Sequence, residues 1–143
     1  MGHLIYHYSL DHVRALRERA RRYHLWHPEG FAAAPDELIR RCYNGIGPDR
    51  WASQFRGLVT WLLGFFEADA MLHDFEYSLP GKTNGRFTLA NVRFCVNAVL
   101  LALQAYPLKL AVKVAALGVL LGVLCQLFGY SGYKTGTIPE EEK

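Results

Sequence analysis

Apolar residues recur at helical spacing through most of the chain, and turn-forming residues cut that pattern into segments. Residues 11–25, DHVRALRERARRYHL, predict a basic helix opening at Asp11, with few strand formers. HPEGFAAAP (27–35) is a loop, and DELIRRCY (36–43) is a short helix entered after Pro35. NGIGP (44–48) breaks the pattern with two glycines and a proline. Residues 51–77 predict one long apolar-faced helix, or two with a break near Gly57 or Gly64. SLPGKTNGR (78–86) is turn chemistry with room for a small hairpin. A helix over 88–105 starts at Thr88 and ends before Pro107. A very apolar helix covers 108–128, and a polar tail follows from Tyr130, disordered over about 134–143. The expected class is mostly α, with a single domain over residues 1–143.

The last apolar segment carries its own question. Residues 114–133 hold no charged side chain, and about 20 such residues are long enough to cross a bilayer. Gly118 and Gly122 form a G-x-x-x-G pair, which lets two helices approach closely and suits self-association. Gln126, Ser131 and the glycines favour a buried core helix over an interfacial or membrane-spanning one.

Composition narrows the classes. The chain is 51% hydrophobic, which excludes a disordered protein. Its formal charge of +3, from 16 Lys+Arg against 13 Asp+Glu, is too slight to imply nucleic acid. The charge is uneven, however. Arg14, Arg17, Arg21 and Arg22 gather near one side of the first helix, where they suit an anionic lipid surface or a plain solvated face. Cys42, Cys95 and Cys125 are far apart and odd in number, neither a zinc signature nor a disulfide framework. They read as buried thiols of a reducing compartment. The opening residues show no basic region followed by an apolar core, so no signal peptide is expected.

The candidate chemistry lies in ADAMLHDFEY (68–77). Residues four apart share a helix face, so His73 and Tyr77 point the same way. Asp74 is turned by about 100° and looks to one side of the histidine. His73 suits a base that takes a proton from water, and Asp74 suits a ligand for a hard cation. Such a cation needs further oxygens, often backbone carbonyls. Tyr43, Gly45 and Gly47 stand at alternate positions of a glycine-rich loop and offer three to Ca²⁺. Asp69, four residues before His73, is a second possible partner for it.

These residues resemble the phospholipase A2 enzymes, above all bacterial, phage and parvoviral ones. The shared elements are the Y-x-G-x-G loop in CYNGIGP, the H-D-x-x-Y helix in HDFEY, and a second antiparallel helix. That helix carries NVRF (91–94), with Asn91 where the family places an acid. The resemblance covers about 42–105 and implies a core over about 36–106. It implies His73 as general base on a water that attacks the sn-2 ester of a glycerophospholipid. It implies Ca²⁺ between Asp74 and the carbonyls of Tyr43, Gly45 and Gly47, with Tyr77 bracing the helix pair. Asn91 would hold Nδ1–H of His73 so that Nε2 faces the water. The implied partner is phospholipid at a membrane surface, and the implied setting is cytoplasmic or virion-associated. A catalytically degenerate lipid-binding or assembly module is the alternative. An HD-type metal phosphohydrolase needs a distal Asp, and no Asp or Glu occurs between Glu76 and Glu140.

Overall fold

The structure is a computed structural model that describes residues 8–43 and 64–138. Six α-helices are described: α1 (Leu10–Arg22), α2 (Asp36–Cys42), α3 (Glu67–Ser78), α4 (Asn84–Ala105), α5 (Leu108–Phe128) and α6 (Tyr130–Thr135). No strand occurs among the described residues, in line with the mostly α expectation. The predicted helix over 51–77 falls partly outside the described residues. Its described part is a 3₁₀ turn at Gly64–Phe66 followed by α3; Gly57 lies outside the described residues.

Capping chemistry decides several boundaries. The Ser9 hydroxyl accepts the His12 N–H at 3.1 Å, so α1 begins at Leu10 rather than at Asp11. Thr83 does the same for Arg86 N–H at 3.1 Å, and α4 therefore starts at Asn84, four residues before Thr88. No hairpin forms at 78–86. The chain turns through Gly81, whose φ of +80° is the left-handed conformation that glycine adopts without strain. The tail is ordered further than expected: 130–135 is helical, and Tyr133 is buried.

Helix α3 is the centre of the fold. It packs against α1, α2, α4 and α6, which explains why it is buried nearly all round. Met71, Leu72 and Phe75 lie in its core, each stabilising by about 1.5–3 kcal/mol. Helices α3 and α4 run antiparallel: Glu76 pairs with Arg93, and His73 packs edge-on against Phe94. Asn97 fastens the N-terminal segment to α4. It accepts the Trp26 N–H at 2.7 Å and donates to the Trp26 carbonyl at 2.8 Å.

Helix α5 folds back on α4 through Tyr106 and Pro107. Gly118 faces the Ala98 methyl and, at 2.8 Å from a built Cβ, the Phe66 ring. Gly122 faces the Cys95 thiol and Phe94. The G-x-x-x-G pair thus seats α5 on α4 within the chain. The core-helix expectation is corrected. Only Ala111, Gly118 and Gly122 of α5 are buried, whereas Leu108 is 72% exposed and Leu127 66%. Small residues suffice to seat α5, and its large ones are left outside. At 1.5 Å per residue, the 22 residues of α4 and 21 of α5 reach about 30 Å, long and apolar enough to cross a membrane.

Candidate functional site

His73 sits at the middle of α3, 9% exposed, and Asn91 faces it from the second turn of α4. The antiparallel register brings three of the predicted side chains together. The ring Nε2 of His73 lies 2.8 Å from Asn91 Oδ1, and the Tyr77 hydroxyl donates to the same oxygen at 2.8 Å. The His73 and Tyr77 rings meet at 4.1 Å between centroids, tilted by 42°, as neighbours four residues apart on one helix face. One detail reverses the expectation. Asn91 meets Nε2, not Nδ1. Asp69 makes no hydrogen bond to the histidine; it is buried in α3 with Asn97 beside it.

The amide of Asn91 is itself held. Its Nδ2 donates to Gln126 Oε1 at 2.7 Å, and Gln126 Nε2 donates to Thr88 Oγ1 at 3.2 Å. In this arrangement the Asn91 oxygen faces His73 and Tyr77 and accepts from both. His73 then carries its proton on Nε2 and keeps a lone pair on Nδ1. Burial drives the ring pKa down to about 4, and the hydrogen bond from Asn91 only partly offsets this. The imidazole is therefore neutral near pH 7, free to accept a proton but with no carboxylate to favour the cation. Burial likewise pushes the Tyr77 phenol up, which keeps it a donor rather than a phenolate.

Asp74 is half-buried on the adjacent helix position, with the Ser78 hydroxyl bonded to its backbone carbonyl at 2.9 Å. Its charge contributes to raising the Cys42, Tyr43, Tyr77 and Cys125 pKa values, which places it near all four. Tyr43 closes α2 in an extended conformation, where the backbone leaves the helix. Its phenol donates to Glu67 at 2.8 Å beside His12 and the Tyr8 ring. That cluster, which sequence reading missed, secures the start of the loop that was expected to hold Ca²⁺. Gly45 and Gly47 lie outside the described residues. No group of three His, Cys, Asp or Glu side chains gathers among the described residues. Of the ligands expected for Ca²⁺, Asp74 and Tyr43 lie among the described residues, and each offers a hard oxygen.

The four arginines differ in availability. Arg17 donates to the carbonyls of Phe31, Ala32 and Ala34 and to Asp36, so it clamps the 31–34 turn. Arg14 pairs with Asp36 and Asp11, and Arg21 with Glu18. Arg22 is exposed. Residues Arg14, Arg17 and Arg21 border an open cleft of about 540 Å³, but Glu18 and Asp36 line it too and offset their charge. Set against known proteins, the chain matches no family model, no curated protein and no solved structure.

Proposed function

We propose that the chain is a calcium-dependent phospholipase A2-type hydrolase that cleaves the sn-2 ester of glycerophospholipids at a membrane surface. The observation that carries this reading is the join of His73, Asn91 and Tyr77 across two antiparallel helices, with the Asp74 carboxylate next in sequence. Ester hydrolysis needs a base on water and a positive centre at the developing oxyanion. His73 Nδ1 takes a proton from the attacking water and returns it to the departing alkoxide oxygen. Asn91 and Tyr77 hold the ring. Asp74 and the Tyr43 carbonyl, with those of Gly45 and Gly47, would hold the cation. Bound there, Ca²⁺ supplies charge to polarise the ester carbonyl and to meet the substrate phosphate. The exposed leucines of α5 support a substrate presented in a lipid surface, with Arg14, Arg21 and Arg22 as secondary contacts.

The test is release of labelled fatty acid from an sn-2-labelled phospholipid, first with Ca²⁺ and then with chelator. His73→Gln is expected to lower turnover by about 10² while Ca²⁺ affinity survives. Asp74→Asn is expected to abolish calorimetric Ca²⁺ binding with the fold intact. Hydrolysis that ignores both changes sinks the assignment.

One observation favours a second reading, a lipid-binding module that has lost its chemistry: the group bonded to His73 is an amide, not a carboxylate. An amide holds a tautomer but gives nothing to the imidazolium. Asn91→Asp separates the two. A rise in kcat without change in Ca²⁺ affinity fits the enzyme, and a folded, Ca²⁺-loaded, inert variant fits the module.

A further inference from the structure

We infer that the outer face of the α4–α5 hairpin is the surface by which the chain docks on an anionic phospholipid bilayer, with the hairpin lying along the membrane rather than across it. This rests on the proposed lipid substrate for the class of partner, and takes its location from the fold. Helix α5 packs chiefly on α4, through Ala111, Gly118 and Gly122, which turns most of its large side chains outward. Leu117, Leu120, Leu124 and Leu127 are all exposed and recur at the three- and four-residue spacing of one helix side. Val92 and Val96 extend the apolar surface along α4, on the side that α3 leaves open. A single exposed leucine is ordinary, but an apolar face of this extent marks a contact surface.

Charge chooses the occupant. Lys109 and Lys113 are exposed in the first two turns of α5. Arg86 and Lys134 are exposed at the other end of the hairpin, where the Tyr133 hydroxyl accepts the Thr83 N–H at 3.3 Å. No Asp or Glu occurs between Glu76 and Glu140, so cations alone border the apolar band. A second copy laid on this face would set cation against cation in either orientation, with no carboxylate on the hairpin to receive them. Anionic headgroups meet the same cations while the leucines enter the acyl boundary, the arrangement of an interfacial helix. The body of the protein sets the direction of approach. Helix α3, with His73, Asp74 and Glu76, runs beside α4 and pairs with it through Asn91 and Arg93. A crossing hairpin would draw those groups into hydrocarbon, whereas sideways docking leaves them outside it.

The experiment measures partition of the whole chain onto large unilamellar vesicles of phosphatidylcholine, with and without phosphatidylglycerol. Co-sedimentation is read with chelator present, so that no turnover occurs. Binding is expected to be tighter to the anionic vesicles and to weaken there with salt. Leu120→Gln with Leu127→Gln is expected to lower the partition coefficient about 10²-fold on both vesicle types, roughly tenfold for each leucine partly buried in lipid. Lys109→Gln with Lys113→Gln is expected to lower it about 25-fold on the anionic vesicles alone, at roughly fivefold per cation. All four sites are exposed, so circular dichroism is expected to show unchanged helices. Polarised infrared spectra on oriented bilayers are expected to place the long helices near the membrane plane, and helices along the normal overturn the sideways docking. A wild type that does not bind overturns the inference, as does binding that neither pair of substitutions weakens. A dimer that persists with vesicles present and dissociates in the leucine variant overturns it too, since a second copy then covers the face. A chain that binds as described yet releases no fatty acid when Ca²⁺ is restored keeps the docking surface and counts against the hydrolase reading alone.

Discussion

Replacing His73 by Gln should remove a defined part of the protein's sensitivity to acid. In the folded chain, burial holds the imidazole pKa at about 4, against 6.5 for a free ring. That gap is roughly a 300-fold loss of proton affinity, or about 3 kcal/mol at 1.36 kcal/mol per tenfold. The sign follows from which state binds the proton. Above pH 6.5 neither state is protonated at this site, and the group costs nothing. As pH falls, the unfolded chain takes up a proton that the folded chain refuses, so stability drops until about pH 4. By pH 4.5 the wild type should have lost about 2–3 kcal/mol that the variant keeps. Glutamine is the right replacement because its amide can still bond to Asn91 and Tyr77. The assay is urea denaturation of both proteins at several pH values between 7.5 and 4.5. Burial also raises the pKa values of Glu76 and Asp69, but these groups are common to both chains and cancel in the difference. A constant difference in midpoint across the range would show that His73 is not held neutral by burial, and the account of its base chemistry would fall with it.

Two further outcomes follow from the core. Asp69 is fully buried, and burial raises its pKa well above the ordinary value, with Asn97 offsetting only part of the rise. Its neutral form is therefore favoured in the fold, and stability is lost as pH rises above the unfolded value. Asp69→Asn should gain on the wild type between pH 4 and pH 8, read as a widening Tm difference, and a narrowing one would contradict the burial argument. Gly122→Ala should cost about 1–3 kcal/mol by overpacking against Cys95, measured by urea midpoint, and an unchanged midpoint would mean that the α4–α5 seam is looser than described.

The sequence was informative where spacing alone fixes geometry. His73 and Tyr77 must share a face, and a helix carrying Asn91 must run back past them, because only a short turn around Gly81 separates the two segments. It was less informative where two assignments satisfy the same pattern. A run such as 114–133 looks alike whether its leucines meet a core or are left outside, and only the glycines facing α4 decide it. The ring nitrogen that meets Asn91 was hidden for a similar reason: it follows from how the ring sits between α3 and α4, which no local spacing signals. The helix starts at Leu10 and Asn84 turned on which hydroxyl caps, Ser9 and Thr83 being less conspicuous than Asp11 and Thr88. His12 and Glu67 carried no motif, since their meeting requires α1 to pack on α3.

The two-residue reversal at Tyr106 and Pro107 has a consequence for the order of assembly. The pairing of α4 with α5 joins residues that are near in sequence, and such contacts close quickly. Gln126 nevertheless lies some fifty positions after His73 and 35 after Asn91, the residue it bonds. During synthesis His73 and Asn91 leave the ribosome well before it does. A nascent chain that stops short of α5 holds the histidine and its amide without Gln126, and the pairing of α5 with α4 completes that contact.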